Sequence, residues 1–127
     1  LAGLSLHHLL TDTAGLFDDE ATLCAAPDLA TVAARTAAGP RAAPAGAVYL
    51  PSRNGYAVAG AVLEAHAGQP FEEVVRRRLL RPAGMVSATF DPQRHRLYAQ
   101  GTSPSGAAVA PERFPCRGAR PAAGLLA

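Results

Sequence analysis

Ser52-Arg-Asn-Gly-Tyr-Ala-Val-Ala-Gly-Ala-Val-Leu-Glu-Ala-His-Ala-Gly68, followed at once by Gln69-Pro-Phe-Glu-Glu-Val-Val-Arg-Arg-Arg-Leu-Leu80, is the stretch on which the fold turns. Only Glu64 and His66 interrupt the apolar surface of the first half, so it predicts a helix buried on every side by its neighbours. Ser52 and Asn54 are side chains suited to capping its start, and Gly68 to ending it. Pro70 then sits in the first turn of a further helix, with Glu72 and Glu73 placed to meet its dipole, and Pro82 and Gly84 close it. Phe71, Val74, Val75 and Leu79 form the inward stripe of that helix. Glu72 and Glu73 stand four residues before Arg76 and Arg77, the favoured orientation for helical ion pairs. The basic run Arg76 to Arg78 therefore reads as a solvated helix face rather than a phosphate site.

Working outward, residues 4–10 predict a helical turn or two, stopped by Gly15. Asp28 to Ala38 predicts a helix that starts at Pro27, ends at Gly39-Pro40, and buries Leu29, Val32 and Ala33. Arg41 to Gly46 is a Pro/Ala/Gly linker of the kind that crosses a surface. On the far side, Leu97 to Gln100 and Ala107 to Ala110 flank the turn-rich Gly101 to Gly106 and predict a small hairpin. The expected fold is mainly α, three or four helices with a small β-hairpin, over residues 1–127 taken as one partial domain.

The formal charge is +2 over 127 residues and comes from arginine alone, because the chain has no lysine. So small a balance gives no reason to expect nucleic acid or an anionic membrane surface as a partner. No run of about 18 apolar residues is present, and the chain opens on Leu1 without signal-peptide features, which reads as a fragment. Cys24 and Cys116 fit no metal-ligand or redox spacing. Two unpaired thiols are the expectation; a bridge between them would close a long loop. The compartment is left open.

Several motifs are discarded on inspection. Gly101 to Gly106 reads GTSPSG, which fails the G-x-S-x-G elbow because position 105 is Ser, and lacks the Lys of a phosphate loop. His7 and His8 are adjacent, so their rings diverge on a helix, and His66 and His95 have no companion at ligand spacing. No metal site is expected. Asp18, Asp19 and Glu20 read as a solvated acidic turn without Ca²⁺-loop spacing.

One family resemblance runs through the chain in register. Leu6 to Leu16, LHHLLTDTAGL, is similar to the helix-ending block R-H-L-L-T-H-T-S-G-L of class C β-lactamases, D-Ala-D-Ala peptidases and related serine esterases. Asn54 to Gly60, with Gly68-Gln69 beyond, resembles their buried N/x-G-Y-x-L-L-G helix. Phe71 to Met85 resembles the next helix and its P-L-G-M turn, with Ser87 to Phe90 close behind. Gln100-Gly101, Gly106 and residues 122–125 resemble the hairpin and the A-G-G-L block. The resemblance implies the helical subdomain of the α+β β-lactamase/peptidase fold with the sheet domain missing. It also implies hydrolysis of an amide, ester or β-lactam through an acyl-serine, no cofactor, and a small-molecule or peptidoglycan-like acyl substrate.

The departures matter as much. The family's S-x-x-K pair cannot exist in a chain without lysine, and the Lys/His-Thr/Ser-Gly strand would lie after Ala127. Counting back from Gly55-Tyr56, the family's Y-S/A-N motif falls on Pro51, Ser52 and Arg53. Tyr49 is near, but a two-residue slip would break the register of the helix. Asp12 replaces the histidine of T-H-T. No catalytic residue is assigned. Ser52 and Arg53 are the candidate binding residues, with Arg53 able to attract a carboxylate. The chain alone is expected to be inactive, with the remainder of the domain as a partner. The alternatives are a pseudoenzyme or binding module that keeps the helical layer, or a gene remnant without function.

Overall fold

The computed structural model describes residues 3–91, 101–108, 116–123 and 125. Its elements are α1 (Leu6–Leu10), α2 (Glu20–Ala25), α3 (Leu29–Ala38), α4 (Arg53–Ala67) and α5 (Phe71–Val75), which runs on as a π-helical turn, Arg76–Leu80. A 3-10 turn, Arg117–Ala119, follows near the C-terminus. Among the described residues β structure is limited to isolated antiparallel bridges, Leu16 with Arg41 and Thr102 with Ala108. The second is the tip of the expected hairpin, closed by Ser103 N–H donating to the Ala107 carbonyl at 2.8 Å. Its arms at 97–100 and 109–110 lie outside the described residues.

Helix α4 is the axis of the fold because its small residues let neighbours close in on two sides. Ala57 belongs to one core with Leu23, Ala26, Leu29, Val32 and Ala119, and Val58 to a second with Leu9, Ala14 and Leu16. Gly60 shows the requirement directly, since a Cβ there would lie 2.5 Å from Pro121 Cγ and 3.2 Å from Leu29 Cδ1. The expectation of burial on every side is corrected at the helix's far end: Val62 is 46% exposed and His66 is exposed. There α4 and α1 frame an apolar groove of about 340 Å³ whose lining includes Leu6, Leu10, Tyr56, Val62 and Leu63.

Five further expectations are corrected by the structure. In place of a solvated acidic turn, Asp18 to Glu20 leads into helix α2, with Asp19 as its N-cap accepting from Ala21 N and Thr22 N. Helix α1 stops at Thr11, whose N–H bonds the His7 carbonyl, before Gly15 is reached. Gly15 serves the loop instead, with φ +66° and no room for a Cβ against the Ala43 carbonyl. In the π-turn Arg81 N–H reaches back five residues to the Arg76 carbonyl, and the extra residue turns Leu79 out (58% exposed) while burying Leu80 (2%). The acids also pair differently from the expected i,i+4 arrangement, Glu73 with Arg76 and Glu72 with the distant Arg120.

The last correction concerns sulfur. Cys24 and Cys116 are joined in a disulfide, with Cα atoms 5.1 Å apart across 92 residues. Spacing along the sequence carried no sign of this, because the contact is made by the 3-10 turn packing on α2. There Gly118 lies under the Leu23 carbonyl, which a Cβ would approach to 2.3 Å.

The caps make stability pH-dependent. Thr22 and Thr31, each offering its hydroxyl and its N–H, hold the Asp19 and Asp28 carboxyls below their ordinary value, and the Arg76 guanidinium does the same to Glu73. A carboxyl lowered in the folded state contributes stability that is present above its unfolded pKa, about 4, and lost as pH falls through the lowered folded value. Thermal melting is therefore expected to weaken below about pH 4, and Asp28→Asn to flatten that acid limb; an unchanged limb would show the cap does not titrate with folding.

Candidate functional site

The entrance to α4 is where the sequence places Ser52 and Arg53, and the structure gives each a defined set of partners. Ser52 is buried and is the helix N-cap: its hydroxyl donates to the Phe17 carbonyl at 3.0 Å and accepts from Gly55 N–H at 3.4 Å. Arg53 is half-exposed. Its backbone N–H donates to Asp18 Oδ1 at 3.0 Å, its Nε to both Asp18 oxygens at 3.2 and 3.0 Å, and its Nη2 to Glu20 Oε2 at 3.4 Å. The Asp18 carboxylate raises the Arg53 pKa above its already high ordinary value, so the charge is permanent. Pro51 and Tyr49 are exposed beside it, Tyr49 at 72%.

Three residues that sequence reasoning left out of the site build it. Asp12 has φ +56°, unusual for a residue with a Cβ. In that conformation its Oδ1 accepts from Ser52 N–H at 3.2 Å and its carbonyl from Leu50 N–H at 2.8 Å, tying the turn after α1 to the segment that leads into α4. Asn54, 2% exposed, accepts from Asp19 N–H at 2.8 Å and donates to Thr36 Oγ1 at 3.2 Å, so one amide joins the starts of α4 and α2 to α3. Asp18 fixes Arg53. Asp12 acts across 40 residues, Asp18 across 35, and Asn54 across 35 to Asp19 and 18 to Thr36, which no local pattern reports.

Gly55-Tyr56, the pair that set the register, has a physical role as well. A Cβ on Gly55 would lie 3.3 Å from the Leu9 carbonyl, so glycine lets α1 approach closely, and Tyr56 OH donates to the Leu10 carbonyl at the end of α1. Among the described residues no three His, Cys, Asp or Glu side chains are grouped to hold a metal ion, and no helix is long and apolar enough to cross a membrane.

The β-lactamase family profile matches residues 2–127. The chain belongs to the β-lactamase family. Two solved structures share its fold, both of the D-amino acid amidase from Ochrobactrum anthropi SV3, one complexed with D-phenylalanine and one with L-phenylalanine amide. Each is 20% identical with a TM-score of 0.71, covering 98% of this chain and 40% or 39% of the amidase. The chain thus spans about two-fifths of the length of those relatives, and it corresponds to a helical piece of the β-lactamase fold. No curated protein matches the sequence.

Proposed function

We propose that these residues are the helical portion of a β-lactamase-like serine hydrolase whose reaction is cleavage of an amide, ester or β-lactam through an acyl-serine, and that alone they do not turn over substrate. The observation that carries the reading is the α4 entrance. The position aligned with the family's tyrosine is Pro51, which has no proton to exchange, and the Ser52 hydroxyl is occupied by Phe17 and Gly55. The chain also has no lysine to activate a serine. Acyl transfer needs a base for the nucleophile and donors for the oxyanion, each contributing about 10²–10⁴-fold.

Substrate binding at this entrance falls to Arg53. Asp18 grips its Nε edge, while the Nη2 contact to the exposed Glu20 is long and easily exchanged for a ligand carboxylate. The apolar groove between α1 and α4 seats the remainder of the domain, whose apolar surface would cover Leu6, Leu10 and Val62. One titration tests both claims. With an anionic acyl-D-Ala ester, the purified chain is expected to bind weakly, to lose that binding on Arg53→Ala, and to give neither burst nor steady-state hydrolysis. Turnover that traps an acylated serine would overturn the inactivity, and equal affinity in the variant would remove Arg53 from the site.

A further inference from the structure

The segment after α5 presents a surface that the fold does not use. Residues 76–79 and 81–87 are all exposed, and only Leu80 between them is buried. Four of the twelve arginines fall within Arg76 to Arg81. Glu73 is the acid paired within this segment, through Arg76; Arg81 and Arg77 act on it only through space, and Glu72 is engaged by Arg120. Among the described residues Arg77, Arg78 and Arg81 have no ion-pair partner, so the small total charge of the chain hides a local cationic surplus. Apolar side chains stand among them: Leu79 at 58%, Met85 at 37% and Val86 at 89% exposure. The π-turn is what brings Leu79 into this company, and such turns recur at functional positions.

We propose that this turn is a contact surface for an anionic phospholipid bilayer, with the arginines on headgroup phosphates and Leu79 and Val86 in the acyl boundary. Charge complementarity names the sign of the partner, and the interleaved apolar residues name its second property. Arg77, Arg78, Leu79, Arg81 and Val86 line neither the apolar groove between α1 and α4 nor the cleft bordered by Glu72, Glu73, Arg76 and Arg120. A peptide needs a groove to bury its backbone, whereas a deformable lipid interface accepts a protruding turn.

The test is co-sedimentation of the 127-residue chain with vesicles of phosphatidylcholine alone or mixed equally with phosphatidylglycerol. The chain is expected to bind only the anionic vesicles and to leave them at about 1 M salt, where screening falls to about 3 Å. The combined Arg77→Gln, Arg78→Gln, Arg81→Gln variant should lose roughly 100-fold in partitioning. Leu79→Ser with Val86→Ser, which keeps the charge, should bind more weakly than the native chain at equal salt. All five side chains are exposed, so unchanged circular dichroism verifies the fold. Equal binding to neutral and anionic vesicles, or a triple variant that binds like the native chain, would overturn the proposal. Capture by soluble poly-glutamate without vesicle binding would overturn it in favour of an acidic protein.

Discussion

Reducing the Cys24–Cys116 bond is expected to lower the unfolding free energy by about 4–5 kcal/mol, the loop-closure value for a ring of this length. The bond spans 92 residues and closes most of the chain into one ring. Domains of this size are stable by only about 5–15 kcal/mol, so the effect is a large share of the total. The core at the bond makes the share larger. Three of the six buried residues around Leu23 are alanines, which remove little apolar area from water. The segment released is the one that completes this core, since Ala119 is 1% exposed there and Arg120 holds Glu72 at 2.6 Å. Urea unfolding of the oxidised chain, the chain in excess dithiol, and Cys24→Ser with Cys116→Ser provides the check. The dithiol-treated chain and the double serine variant, both without the bond, should share one lowered midpoint. Three equal midpoints would show that the ring contributes nothing.

How far the sequence could be read depended on the range of the interaction. Helices α3 and α4 were legible to within a residue because their signals are local: Pro27 and Ser52 at the starts, Gly39 and Gly68 as ends, and an apolar face between; that Asp28 is the cap of α3 is shown by the structure. The Gly55-Tyr56 register that points to the β-lactamase family was legible for the same reason. What was not legible is carried across distance. The disulfide, the Asp12 bond to Ser52 and the Asn54 bond to Asp19 each join residues at least 35 apart, and none leaves a periodic trace. Arg53 shows both sides of the limit. Its place at the motif followed from counting, but its commitment to Asp18 required the loop before α2 to fold back onto α4. The candidate site was therefore located by sequence and built by tertiary contacts.

The π-turn yields the second large effect. Leu80→Ala is expected to cost about 3 kcal/mol, within the 2–5 kcal/mol of buried Leu-to-Ala changes, while Leu79→Ala should change stability by less than about 0.5 kcal/mol. Leu80 is among the fully buried side chains, and Leu79 beside it is in solvent. An unbroken α-helix starting from Phe71 would bury Leu79, four residues after Val75, and would reverse the ranking. The pair thus measures register: with a urea slope of about 1–3 kcal/mol per M, a difference of about 2.5 kcal/mol should make the Leu80 variant unfold roughly 0.8–2.5 M earlier than the Leu79 variant. A Leu79 variant that loses more than the Leu80 variant would mean the turn is α-helical and the stripe read from the sequence is the true one. In that case Leu79 would also be withdrawn from the exposed surface among the arginines, leaving charge without an apolar complement. The ranking of these two leucines therefore decides both how α5 is anchored and whether the turn beyond it can enter a lipid interface.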